Sequence, residues 1–425
     1  MPSSPAPEPD ACCREYADLS LSRRGFLGGV LATGVATTIG STVVQVAQAP
    51  AARAAGDARR VLVVLSLRGA ADGLSLVVPH GDPVYARARP RLAVPTDQLL
   101  ARDDFFGLHP AFAPLLPLWS SGRMAAVHAA GLPARNRSHF SAMEELENAA
   151  PGSARRNGWL NRLVGVDTDS SPLQAVHLGA AAPTALYGAH PFLTAPKLED
   201  VKLAGADQWD VKKGRPRSLR TLWNGQRDPL GRAVQAAFAA VDAFEPARTS
   251  PTDPLHGATY PTHDLGRALA QVARLVRSGV GTQVVTVDHG DWDMHTDVGN
   301  LEWGAMKQKT GEVAGALAAF FTDLGPDADQ VTVVCLSEFG RRVEENANWG
   351  LDHGYGTAML LLGAGVRGGY HGSWPGLQTG WDADLLVTTD YRSVLAEVVK
   401  ARFGSSSAQV FPGFTPTRVG VMHGQ

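Results

Sequence analysis

"VLVVLSL", residues 61–67, is apolar at six of its seven positions and shows no in-and-out alternation. A strand with one wet face alternates; an unbroken run is the pattern of a strand covered on both faces. The same signature recurs in MAAVHAAG (124–131), LQAVHLG (173–179), TQVVTVD (282–288), VTVVCLS (331–337) and TAMLLLG (357–363). Helical patterns at 139–149, 230–244, 263–278, 303–323 and 390–402 fall between or after these runs. Strands alternating with helices predict an α/β sandwich around a mainly parallel sheet. The stretch 195–262 is polar and rich in Lys, Arg, Asp and Pro. It is expected to form an insertion or cap over one sheet edge, a mobile linker being the alternative.

The chain of 425 residues is 44% hydrophobic and 19% charged, an ordinary globular composition. Its 39 basic and 41 acidic residues give a net charge of −2 and no basic field, which argues against a nucleic-acid partner. Near the start, Ser22, Arg23, Arg24, Phe26 and Leu27 resemble the S-R-R-x-F-L core of a bacterial twin-arginine export signal, which is the expected role of this segment. A membrane anchor is the alternative, but the following glycines and threonines dilute the hydrophobicity a stable span requires. With cleavage at "ARA" (52–54), residues 1–54 are the signal and 55–425 a single domain outside the cytoplasm: periplasmic, in the cell wall or extracellular. The export translocase is then a transient partner, and no membrane span remains after cleavage. Cys12 and Cys13 leave with the signal, so Cys335, inside an apolar run, reads as a core residue with no disulfide partner.

In an open α/β sheet, ligands collect beyond the carboxyl ends of the strands. Asp72 follows 61–67, "DHGDWDMHTD" (288–297) follows the run at 282–287, Glu338 follows 331–337, and His353 precedes 357–363. The ten-residue cluster could be a metal site, an acid/base site or an acidic loop. Asp293 and His295 are two apart, so in an extended segment they share one side. Carboxylates and imidazoles at several strand ends favour the metal. Ser138 follows Arg135 and Arg137 and precedes a helix, where amides and guanidiniums stabilise an anion. It is either a nucleophile or an N-cap; Ser141 to Glu144 matches a capping box and leaves Ser138 free. Ser-His-Asp acyl hydrolysis is disfavoured, because there is no G-x-S-x-G elbow and the adjacent His139 does not face Ser138 on a helix.

In combination, LRGAADGLSLVVP, LHPAFAPLLPLW, GLPARNRSHFSAME, WDMHTD, SEFGRR, DHG and VFPGF resemble the bacterial exported family known as domain of unknown function 1501, over about residues 60–415. That family is grouped distantly with the alkaline phosphatase and sulfatase superfamily. The resemblance implies a three-layer α/β/α sandwich and a centre of one or two divalent metals: Zn, Mg, Mn or Ca. It implies Asp72, Asp293, His295, Glu338 and His353 as metal ligands and Ser138 as the nucleophile, with Arg137 offsetting anion charge. This chain departs from the superfamily by having Glu338-Phe339 in place of Asp-His, and in its Asp–His spacing. The expected function is hydrolysis of a phosphate or sulfate ester of a small molecule or saccharide. The alternative is a non-catalytic exported protein that keeps the fold for binding or assembly.

Overall fold

The computed structural model describes residues 60–154, 156–166, 171–203, 210–212 and 214–424, together with the strands Val35–Ile39 and Thr42–Val46. Apart from those two strands, the predicted export signal lies outside the described residues.

Nine strands build the main sheet: β1 (Val61–Leu67), β2 (Met124–Gly131), β3 (Ala175–Leu178), β4 (Phe192–Ala195), β5 (Val284–His289), β6 (Val331–Leu336), β7 (Thr357–Gly363), β8 (Gly369–His371) and β9 (Thr389–Asp390). Their order is β4-β3-β5-β1-β6-β7-β2-β8, with β9 also pairing β2. Thr42–Val46 pairs antiparallel with β4 and with Val35–Ile39, extending that edge. All neighbours from β4 to β6 are parallel, as are β8 and β9 with β2; β7 runs antiparallel to both β6 and β2. The six strands expected from the apolar runs are all present, and the mainly parallel sheet is found.

Every residue of β1 is buried, and the strand divides its side chains between two cores. Val61, Val63, Leu65 and Leu67 face one side. There they meet Leu269 and Val272 of α5 (Asp264–Arg277) and Val313, Leu317 and Phe320 of α6 (Ala305–Leu324). Leu62 and Val64 face the other side. They share its core with Ala142 and Leu146 of α1 (His139–Asn148), Leu160 and Leu163 of α2 (Trp159–Val164), and Val394 and Val398 of α7 (Tyr391–Phe403). Helices thus cover both faces, giving three layers. Each fully buried Val or Leu is worth about 1.5–3 kcal/mol, so the unbroken apolar runs are what hold the layers together. Cys335 is buried in the first core, where burial pushes its thiol up to about 12.

Within 195–262, α3 (Gly214–Trp223) and α4 (Pro229–Ala243) are helical. Ala233, Val234, Ala237, Phe238 and Val241 of α4 join the first core, so this helix packs as part of the sandwich.

Strand direction decides where the reactive residues gather. Chain leaving β1, β2, β5 and β6 emerges at one edge of the sheet. Because β7 runs the opposite way, chain entering β7 arrives at that same edge. Residues 68–72, 137–139, 290–295, 338–341 and 352–353 are therefore neighbours despite their separation in sequence.

Candidate metal centre

Three imidazoles and one carboxylate converge at this edge. His353 Nε2 lies 3.0 Å from His139 Nε2 and 2.9 Å from His295 Nε2. Asp293 Oδ1 lies 3.1 Å from His295 Nε2, 3.2 Å from His353 Nε2 and 3.5 Å from His139 Nε2. His139 is the first residue of α1, carried to the edge by the chain leaving β2. Asp293 and His295 lie in the loop after β5, which is anchored by the buried Trp292: its backbone nitrogen donates to Arg68 O and its Nε1 to His289 Nδ1. Two glycines permit the close packing. Gly69 has φ +109°, and a Cβ there would lie 2.6 Å from Asp293 N; a Cβ on Gly350 would lie 1.8 Å from His295 O.

The far nitrogen of each imidazole is already occupied. His139 Nδ1 meets Glu338 Oε1 at 2.8 Å, His295 Nδ1 meets Asp352 Oδ1 at 3.2 Å, and His353 Nδ1 meets Arg137 O at 3.0 Å. A carboxylate or carbonyl oxygen only accepts, so each Nδ1 carries a proton and each ring, when neutral, turns its Nε2 lone pair inward. Three lone pairs and a carboxylate oxygen then face one another, an arrangement that is repulsive until a cation joins them. A tetrahedral ion with bonds of about 2.0–2.1 Å sets its ligand atoms roughly 3.3–3.4 Å apart, close to the five separations given above. The compact group is His139, Asp293 and His353, each with one ligand atom within 4.8 Å of the others, and His295 adjoins it through His353 and Asp293. Carboxylate or carbonyl partners on the outer nitrogen are the usual support of metal-binding histidines. The residues present fit a metal ion.

Arg341 fixes the carboxylate. Its buried guanidinium donates to Asp293 Oδ1 (2.7 Å), Gly69 O (2.6 Å), Trp292 O (3.1 Å), Ala70 O (2.8 Å) and Leu351 O (3.0 Å), joining three loops at the ligand. Phe339, buried, sets its ring 4.9 Å from that of His139 and 5.2 Å from that of His353. The residue that departs from the superfamily pattern is thus an apolar wall behind two of the imidazoles.

Of the residues singled out from sequence, Asp293, His295 and His353 come together here. Glu338 stands one step back: besides His139 it accepts from Gly69 N at 2.8 Å and Ser337 Oγ at 2.9 Å. Asp72 is not part of the cluster. Its carboxylate is engaged by Arg89 Nη1, by Arg89 Nη2 at 3.0 Å, and by Ser75 N at 3.0 Å as the cap of a short helix. Arg137 contributes its carbonyl to His353 while its guanidinium binds Asp382 and Asp384, each at 2.7 Å. Ser138 is exposed and occupies the N-cap position of α1 without a side-chain capping bond. Asp291 is held by Lys309 at 3.1 Å, and Asp288 by Arg68 at 2.8 Å. Sequence reasoning missed His139 and Asp352. His139 was legible as a histidine at the start of a helix just past a strand's carboxyl end; Asp352, beside His353, carried no separate signal.

The electrostatics follow the geometry. Burial opposes ionisation of Asp293, but hydrogen bonds from the three histidines and the charge of Arg341 keep it ionised far below the usual carboxylate range. Burial likewise opposes a charged His139, yet bonds to Asp293 and Glu338 and their charges raise it to about 9. Without an ion, protons shared with Asp293 therefore relieve the crowding. A group whose pKa is raised on folding adds stability that is complete below its unfolded value, near 6.5, and is lost as pH climbs through its folded value. The melting temperature of chelator-stripped protein should accordingly fall between about pH 6.5 and about 9. A flat melting profile across that window would contradict the assignment of His139.

The family model described as "Protein of unknown function (DUF1501)" matches residues 107–398, more than half of the chain. This chain belongs to that family. No curated protein matches it. Among solved structures, a 2-O GAG sulfatase is 9% identical, with 73% of this chain and 65% of that one covered and a TM-score of 0.27. Another, from Bacteroides thetaiotaomicron VPI-5482 and described as a candidate sulfatase, is 11% identical, with 85% and 76% covered and a TM-score of 0.29. Likeness this low leaves the chemistry of the DUF1501 chain to be argued from its own site. Among the described residues, no helix is long and apolar enough to cross a membrane.

Proposed function

We propose that this chain is an exported, metal-dependent hydrolase of phosphate or sulfate esters. The observation that carries the reading is the convergence of three inward Nε2 atoms on Asp293 Oδ1 with every Nδ1 already bound. His139, Asp293, His295 and His353 would hold the ion. Three imidazoles to one carboxylate suit Zn²⁺ and similar transition ions better than Mg²⁺ or Ca²⁺, which prefer oxygen. When bound, the ion supplies Lewis acidity toward an anionic ester.

The chain's own groups do the rest. Side chains of Asp293 and His295 are 33% and 31% exposed, so the centre opens to solvent. Ser138, uncommitted and one residue before His139, is the proposed nucleophile. At the rim, Arg135, Arg137 and Arg342 face Asp382 and Asp384, leaving one positive charge to attract the ester's anionic group. Glu338 and Asp352 hold the Nδ1 protons and so fix which imidazole nitrogens face inward.

The test is metal content together with turnover of aryl phosphates and aryl sulfates. Ser138→Ala should retain the metal and lose turnover; His295→Ala should lose affinity for the metal and turnover together. Metal-free wild-type protein, or turnover indifferent to both substitutions, would overturn the proposal. Ligand count favours one second reading, since four protein ligands are the complement of a structural zinc site, in a non-catalytic binding or assembly protein. A melting temperature that falls on chelation, without hydrolysis of any ester, would select it.

A further inference from the structure

The carboxylates that a second ion would require are already neutralised by cations or protons belonging to the chain. Asp72 faces the fully buried guanidinium of Arg89, whose Nε and Nη2 also donate to Val343 O (2.9 Å) and Arg342 O (2.8 Å). Glu338 has Oε1 filled by His139 Nδ1 and Gly69 N and Oε2 by Ser337 Oγ. Asp293 Oδ1 meets the histidines and is also bound by Arg341 Nη2.

Charge balance points the same way. The charged groups in contact with the four ligands or among them are the carboxylates of Asp293, Glu338 and Asp352 and the guanidiniums of Arg341 and Arg342. With the three imidazoles neutral, one negative charge remains. One divalent ion turns it into a single positive charge; a second would leave three in a partly buried site. From this we infer that the centre is mononuclear, with the guanidiniums of Arg341 and Arg89 standing as internal cations on Asp293 and Asp72. The inference rests on the proposed metal centre and fixes its stoichiometry.

Calorimetric titration of chelator-stripped, full-length protein with Zn²⁺, checked by elemental analysis after desalting, tests this directly. One equivalent per chain, with no second step at excess metal, is the expected result. Glu338→Gln should still bind one equivalent, about ten- to hundredfold more weakly, as befits an outer partner of His139 rather than a ligand. Two equivalents in the wild type, one of them lost in Glu338→Gln, would overturn the mononuclear assignment while leaving the metal-dependent reading standing. No binding at all would overturn both.

Discussion

Asp293→Ala is expected to abolish metal retention. The substitution removes the only anionic atom among the four proposed ligands and with it the acceptor on which three Nε2 atoms and Arg341 Nη2 converge. Loss of an outer partner such as Glu338 should weaken binding by about ten- to hundredfold; loss of the carboxylate itself should exceed that range. There is also a cost to the apoprotein, because Arg341 is 1% exposed and is left with a positive charge facing only backbone carbonyls. Breaking a buried pair costs about 3–5 kcal/mol, and the part-exposure of Asp293 places this case at or below the lower end. Asp293→Asn separates the two effects: its amide oxygen can still accept from Arg341, so stability is largely kept while the anionic ligand is gone. Competition against a chromophoric chelator and melting in its presence read the two quantities independently. Wild-type affinity in Asp293→Ala would remove Asp293 from the ligand set.

How much of this was legible beforehand depends on the range of the interaction. Layering follows from local pattern: continuous runs such as 61–67 and 331–336 must be covered on both faces, and the helices between them supply the cover. Asp293, His295 and His353 were also readable, because ligand-type residues at strand ends gather at one edge. Their partners were not. Asp72 and Glu338 occupy equivalent places after β1 and β6, and nothing in their local sequence distinguishes a carboxylate that meets a guanidinium from one that orients an imidazole. Arg89 reaches Asp72 across 17 residues and Glu338 reaches His139 across 199, so those pairings exist only once the sandwich closes. His139 was set aside because it cannot serve its neighbour Ser138; that argument concerned one reaction and did not bear on a ligand role. The short strands β8 and β9, of three and two residues, are too brief to leave a periodic signal.

The Arg89–Asp72 pair, the most deeply buried ion pair among the described residues, should give a large stability effect. The side chains are 0% and 2% exposed, so Arg89→Met leaves a buried carboxylate with Ser75 N as its remaining donor. A loss of about 3–5 kcal/mol is expected, a large share of the roughly 5–15 kcal/mol that holds a typical domain together. The same change frees the carbonyls of Arg342 and Val343, immediately beyond Arg341, so weaker metal retention should accompany the instability. Asp72→Leu alone strands the guanidinium and should be comparably harmful. The double variant Asp72→Leu, Arg89→Met removes both charges, and replacing a buried ion pair by apolar groups is often neutral. It should recover most of the loss, short of about 1 kcal/mol for the missing cap on Ser75 N. Urea unfolding of the four proteins measures the coupling, and metal titration of the double variant asks what the pair is for. If Asp72 serves only the fold, the recovered protein binds one equivalent of metal as the wild type does. An ion lost with Asp72 in a protein that still folds would return that carboxylate to the centre.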